Sequence, residues 1–165
     1  VAVTYQVEVD DTQVLATLSK LTAKAADLTP AMRAIGAGLR DNIRLGFRDS
    51  RDPWGGPWAP LAAVTRALRR GNGATALPLL DTGLLLGSIN FNATKDSVEV
   101  GSSDNAGKAL MQQFGGVTSS TSMIPGKRIP ARPYLPIRGQ QADLPPEWRD
   151  EVIGLLRRHI EAALP

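Results

Sequence analysis

His159 is the only histidine of the chain and cysteine is absent, so thiol chemistry, disulfides and cysteine-ligated zinc are excluded outright. Hydrolytic or acid–base catalysis needs convergent groups with tuned proton affinities. Any Ser-His-Asp arrangement here would rest on His159 alone, and no nucleophile-elbow sequence accompanies it. His159 stands among Arg157, Arg158 and Glu161, where an imidazole favours a helix C-terminus electrostatically. Asp49 and Asp52 lack the further ligands of a calcium loop. The stretch "GGVTSST" lacks the Gly-Lys-Ser/Thr ending of a P-loop, and "GNG" lacks the third glycine of a dinucleotide fingerprint. The expectation is a protein without catalytic residues, metal or cofactor.

Residues that bind rather than react are more plentiful. Arg33, Arg40, Arg44, Arg48 and Arg51 recur at spacings of seven, four, four and three. On a helix they share a stripe about 80° wide. Such a stripe is either a solvated face or a surface for something acidic, DNA phosphate or a neighbouring subunit, and guanidinium forks suit both partners. From Asn105 to Ala142 the chain has five basic residues, Lys108, Lys127, Arg128, Arg132 and Arg138, and no acid. The net charge of +3 hides that local field.

Two stretches are too well furnished for plain connectors. In "RDPWGGPWAPL" (51–61) Trp54 and Trp58 lie four residues apart among prolines and glycines, although aromatics make up only 5% of the chain. Trp58 is expected to plug the domain's own core, anchoring a loop that would otherwise cost heavily in chain entropy. Trp54 is expected to face outward, as an aromatic anchor for a neighbouring subunit. In "IPARPYLPI" (129–137) prolines at 130, 133 and 136 force an extended run, at most an edge strand. It would present Tyr134 and Leu135 for docking at little entropic cost. Arg132, between prolines, serves either an internal salt bridge or a contact to a neighbour or DNA.

The elements that position these residues follow from periodicity. Val3, Tyr5, Val7 and Val9 alternate as a strand. Residues 12–28 read as an amphipathic helix through Val14, Leu15, Leu18, Leu21, Ala25 and Leu28. Thr29 as N-cap and Pro30 at the first helical position open a second helix to about Ser50, with Met32, Ile35, Leu39, Ile43 and Phe47 inward. Residues 61–70 are helix-compatible, and "LLDTGLLLGSI" (79–89) is a helical turn passing into a strand. A hairpin follows, Ile89 and Phe91 facing Val98 and Val100 across a Lys95-Asp96 turn. A short helix over 105–114 stops at Gly115-Gly116, and 117–128 is a mobile loop or arm. Pro146–Leu164 is a closing helix with Trp148, Val152, Leu155, Leu156 and Ile160 inward.

A length of 165 residues with 42% hydrophobic and 21% charged residues gives one globular domain over 1–165. The expected class is α+β, a small antiparallel β-sheet packed against two or three α-helices, with long loops. The N-terminal residues carry no basic-then-apolar leader pattern. No apolar run reaches the ~20 residues of a membrane span. The expectation is a soluble protein made and used in cytoplasm.

Taken in order, "DPWGGPWAPL" (52–61), "LLDTGLLLGSI" (79–89), "VEVG" (98–101), "MQQFGG" (111–116) and "IPARPYL" (129–135) resemble the phage virion morphogenesis family. That family comprises tail-completion and neck proteins of tailed bacteriophages. The resemblance falls on Asp52, Pro53, Gly55 and Trp58, on Leu80, Thr82, Gly83, Leu84 and Ser88, on Gln113 to Gly116, and on Ile129 to Leu135. Where the family has a histidine before Gln-Phe-Gly-Gly, this chain has Gln112, and Lys108-Ala109 stand where a tyrosine is often found.

The resemblance implies a structural virion protein in the tail or neck, assembled in the host cytoplasm and needed for tail completion and head–tail joining. It would form a homo-oligomeric ring of six copies, or of twelve. Its neighbours would be head-completion or connector proteins and tail-tube proteins, with genomic DNA passing through the lumen. Interface candidates are Trp54, Phe114, Arg132, Tyr134 and Leu135. Candidates for DNA, the lumen or an acidic partner are Arg33, Arg40, Arg44, Arg48, Lys127 and Arg128. Trp58 and Trp148 are core anchors. The alternative is a DNA-binding module that uses the arginine stripe of the second helix.

Overall fold

The computed structural model describes residues 12–69, 76–103, 106–122, 125–139 and 141–162. The alternating run Val3–Val9, expected as a strand, lies outside them. Helix α1 (Thr12–Ala26) precedes α2 (Thr29–Asp49), the 21-residue spine of the fold. Ala31, Met32, Ile35, Gly36, Ile43 and Phe47 of α2 are buried, at the spacings of one helical face. Leu39, expected among them, is half-buried.

The start of α2 differs from expectation. Thr29 is the first helical residue rather than the cap, and Leu28 holds the cap position without a side-chain hydrogen bond. Asp27 Oδ1 accepts the Thr29 N–H at 2.9 Å instead. The Thr29 hydroxyl and amide together hold the Asp27 carboxyl below its ordinary value. A carboxylate two residues upstream serves both an open amide and the positive end of the helix. At the other end Ser50 adopts a left-handed conformation (φ 53°), and the Arg51 N–H closes back on Gly46 O at 3.0 Å.

After the tryptophan loop come the short helix α3 (Ala63–Leu68) and the single turn α4 (Leu84–Gly87). Gly83, at φ 78°, admits the chain to α4 in a conformation that favours glycine. Strands β1 (Ile89–Ala93) and β2 (Val98–Ser102) form the expected hairpin, with Phe91 opposite Val100 and Ile89 opposite Ser102. Its turn is held by Thr94 N–H to Ser97 O at 2.8 Å. The hairpin lies against α2, and Gly36 makes that approach possible. A Cβ at Gly36 would overlap the Phe91 ring.

Helix α5 (Ala106–Phe114) ends at Gly115, as its sequence implies. Two short antiparallel ladders follow, β3 (Gly116–Val117) with β4 (Arg128–Ile129), and β5 (Ile137–Arg138) with β6 (Gln141–Ala142). The base of the 117–128 segment, expected as a mobile loop or arm, is tied by hydrogen bonds. Thr118 N–H meets Lys127 O at 2.9 Å and Gly126 N–H meets Thr118 O at 3.1 Å. Helix α6 (Pro146–Glu161) packs along α2 and α1. Its expected inward side is half-buried at Trp148, Val152, Leu155 and Leu156, while Ile160 is exposed. One layer of neighbours covers α6, so none of its residues is fully buried.

The class is α+β, and the small antiparallel sheet takes the form of three two-stranded ladders. The core gathers Ile43, Phe47, Trp58, Ile89 and Tyr134, flanked by Leu79, Leu80, Leu85, Leu86, Val100, Leu135 and Trp148. Gly36→Ala is expected to push Phe91 off α2 at a cost of about 1–3 kcal/mol. Thermal unfolding followed by circular dichroism should fall by roughly 3–10 °C for this variant.

Candidate docking surfaces

The tryptophan loop is built on Asp52. Its Oδ1 accepts the N–H of Trp54 at 2.9 Å and of Gly56 at 2.8 Å. Arg51 Nη1 donates to Gly55 O at 3.1 Å, and the Trp58 N–H returns to Ser50 O at 2.8 Å. An aspartate bonding to amides beyond it is a turn in its own right, so the tip of the loop is shaped by its own residues. Trp58 points into the core, 6% exposed, and its Nε1 donates to Pro133 O at 2.7 Å. Trp54 is half-buried, with the Arg138 guanidinium stacked 4.2 Å from its ring centre.

Pro133 belongs to the proline-spaced run, which the structure turns inward. Tyr134 is 2% exposed and meets the Phe47 ring edge-on, centroids 5.4 Å apart. Arg132 is 5% exposed, with Nε on Ala59 O at 2.8 Å and Nη2 on Pro60 O at 3.0 Å. Burial, with the Arg69 charge as the smaller cause, lowers its pKa from the ordinary value. Both residues were expected on a subunit interface. In the monomer they are internal instead, because the run is pinned across the tryptophan loop. Nor does Arg132 make the expected internal salt bridge; its partners are backbone carbonyls. Leu135 is half-buried against the core, and so is Trp148.

Gln113 does the pinning, and no role was read for it from the sequence. It is 3% exposed, and its Oε1 accepts the N–H of both Tyr134 and Leu135 at 3.0 Å. Its Nε2 donates to Leu135 O at 3.1 Å. One residue earlier, Gln112 O accepts the Arg132 N–H at 2.7 Å. Gln112 Oε1 is buried without a partner among the described residues. Gly115 stands at φ 72°, and a Cβ there would come within 2.8 Å of Ala131 N. "QQFGG" and "IPARPYL" are thus one physical unit, and their joint presence in the sequence was the available signal.

The arginine stripe does not survive as a continuous cationic band. Arg40 lies over the Phe91 ring at 5.4 Å and pairs with Asp41 at 3.0 Å. Arg44 donates through Nη2 to Ile89 O at 3.3 Å, and its Nε is buried without a partner among the described residues. Arg33 and Arg48 are exposed, Arg48 beside Asp49 at 3.3 Å. The hairpin β1–β2 covers the middle of the stripe, because Arg40 and Arg44 border the apolar face that receives it.

Two of the open clefts border these elements. The first, about 380 Å³, is lined by Asp49, Asp52, Trp54, Tyr134, Glu147 and Trp148 among others. The second, about 470 Å³, lies between the end of α5 and the β3–β4 ladder, with Phe114, Val117, Arg128, Ile129 and Pro130 on its walls. Around it Leu110, Phe114 and Val117 are 55%, 51% and 63% exposed, and Lys127 and Arg128 are exposed as well. Leu15 and Leu18 of α1 also stand in solvent, 55% and 53% exposed. Among the described residues no group of three His, Asp or Glu side chains could hold a metal. His159 is half-buried on α6 with its Nε2 unpartnered among those residues.

The profile of the phage virion morphogenesis family matches residues 9–161. The chain belongs to that family. No curated protein and no solved structure matches it. Family membership points to a structural or assembly role in bacteriophage virion morphogenesis. No described helix is long and apolar enough to cross a membrane. The family motifs that lie far apart in sequence meet in space: Trp58 on Pro133, Gln113 on Tyr134, Arg132 on Ala59.

Gln113→Ala is expected to orphan two amides at about 1–3 kcal/mol each, and Arg132→Met to lose two charge-assisted hydrogen bonds to the part-buried Ala59 and Pro60 carbonyls at about 1.5–3 kcal/mol each. Urea unfolding monitored by tryptophan fluorescence checks both. Midpoints equal to wild type would deny these side chains their internal role.

Proposed function

We propose that the chain is a ring-forming component of a tailed-phage virion, placed at the head–tail junction or the tail terminus. There it completes the tail and joins it to the head. The observation that carries the reading is the exposed apolar set Leu110, Phe114 and Val117, edged by Lys127 and Arg128, on a chain of a virion-building family. Exposed apolar clusters rimmed by polar residues mark interaction sites. The tryptophan loop and the proline-spaced run are engaged within the chain, whereas this cluster is open to neighbours.

Six copies make the ring in this reading, with twelve as the alternative. Connector and tail-tube proteins lie above and below, and DNA passes through the lumen. Phe114 is the interface candidate that is exposed, at 51%, and Trp54 presents what Arg138 leaves uncovered. A DNA-binding module on α2 is the weaker reading, because Arg40 and Arg44 are engaged against β1.

Electron cryomicroscopy of purified virions should place the chain as a closed ring at the neck or tail top. Phage lacking it should accumulate heads and tails that fail to join. Its absence from particles, or normal joining without it, would contradict the proposal.

A further inference from the structure

We infer that neighbouring copies of this chain dock head to tail. The basic ridge of α5, β3 and β4 on one copy seats against the acidic, tryptophan-walled cleft of the next. The inference deepens the ring reading and rests on it, since it names the surfaces through which the ring closes.

The two surfaces are opposite in charge and share no residue. In the first cleft Asp49, Asp52 and Glu147 set three carboxylates around Trp54 and Trp148, against one cation among the lining residues, Arg51. That cation is turned onto Gly55 O at 3.1 Å. Arg138, stacked on Trp54, has its own carboxylate in Asp143 at 3.5 Å. Asp49 has Arg48 beside it at 3.3 Å, whereas Glu147 is exposed and makes no ion pair among the described residues.

The ridge is the converse. No acid lines its cleft, and the chain from Asn105 to Ala142 contains none. Of the five cations in that stretch, Arg132 is buried and Arg138 is paired. Lys108, Lys127 and Arg128 remain, all exposed and without an ion pair among the described residues. Lys127 and Arg128 sit on the tied base of the 117–128 segment, beside Val117 and Phe114.

An apolar ridge with free cations and an aromatic cleft with a free carboxylate fit each other in both chemistry and sign. Electrostatic complementarity of this kind sets register and suppresses wrong pairings. Two complementary patches made of different residues generate a heterologous contact. Repeated, such a contact closes into a ring or extends into a filament. The occupant of each cleft is therefore a second copy of this chain.

The test uses Arg128→Glu and Glu147→Arg in the full chain, with sedimentation velocity over a concentration series at low ionic strength. Melting temperature serves as the control for folding, and Lys127→Glu with Asp49→Arg form a second pair should either variant fail it. Wild type is expected to assemble beyond a dimer. Each single variant should need at least about tenfold more protein for half-assembly. An equimolar mixture of the two should recover wild-type assembly, because each ridge then meets a cleft of opposite sign. Added salt should weaken the wild type.

Single variants that assemble like wild type would overturn the inference, as would a mixture that stays apart. A wild-type chain monomeric at its highest soluble concentration, or one that stops at a two-fold dimer, would do the same. Loss of duplex DNA binding in Arg128→Glu with assembly untouched would give the ridge to DNA instead. The ring reading itself fails on a separate readout, absence of the chain from purified virions.

Discussion

Phe47 has no exposed surface, and Trp58 and Tyr134 meet its ring edge-on at 5.5 and 5.4 Å. That contact joins the end of α2 and the adjoining tryptophan loop to the proline-spaced run, some 75 residues further along the chain. Each large ring taken out of water contributes about 1.5–3 kcal/mol, and each edge-on pair about 0.5–1.5 kcal/mol more. Ordering the residues of the loops opposes this at about 1–2 kcal/mol apiece. The loops have little regular structure of their own. Their order therefore depends on the aromatic contact and on the hydrogen bonds that converge around it, Trp58 Nε1 to Pro133 O and the Gln113 amide to Tyr134 and Leu135.

From this constraint follows the character of the surface. A monomer that turns its proline run and one tryptophan inward presents pre-ordered edges rather than floppy ones, and pre-ordered edges lose less freedom on association. The parts left outside are specific. They are an aromatic cleft with carboxylates at the end of α2 and the start of α6, and an apolar ridge with cations where α5 meets the β3–β4 ladder. In the ring proposed for this member of the phage virion morphogenesis family, these are the surfaces that meet neighbouring copies.

Much of the fold was legible because periodicity and punctuation are local. The face of α2 from Met32 to Phe47, the Phe91–Val100 pairing and the stop at Gly115 each need only neighbouring residues to specify them. The family itself was legible from five motifs in order. What could not be read was direction. Tyr134 and Arg132 have the types of interface residues, and the extended backbone of their run permits either face. Which way they turn is set by Gln113, some twenty residues earlier, and by carbonyls of the tryptophan loop more than seventy residues earlier. The arginine stripe failed as a band for a related reason. Helical spacing places Arg40 and Arg44 on one side of α2, but only the tertiary fold brings β1 across them. The cap of α2 was missed because Asp27 reaches forward to Thr29, a competing acceptor just outside the helix.

Hydrogen–deuterium exchange of the free and the assembled protein tests most directly whether the inner contacts are complete before assembly. The amides of Tyr134 and Leu135, held by Gln113, should exchange slowly in the free chain and change little on assembly. Amides from Leu110 to Thr118 and from Gly126 to Ile129 should slow when copies join. Fast exchange at Tyr134 and Leu135 in the free chain, with protection gained there and none along the ridge, would contradict the account.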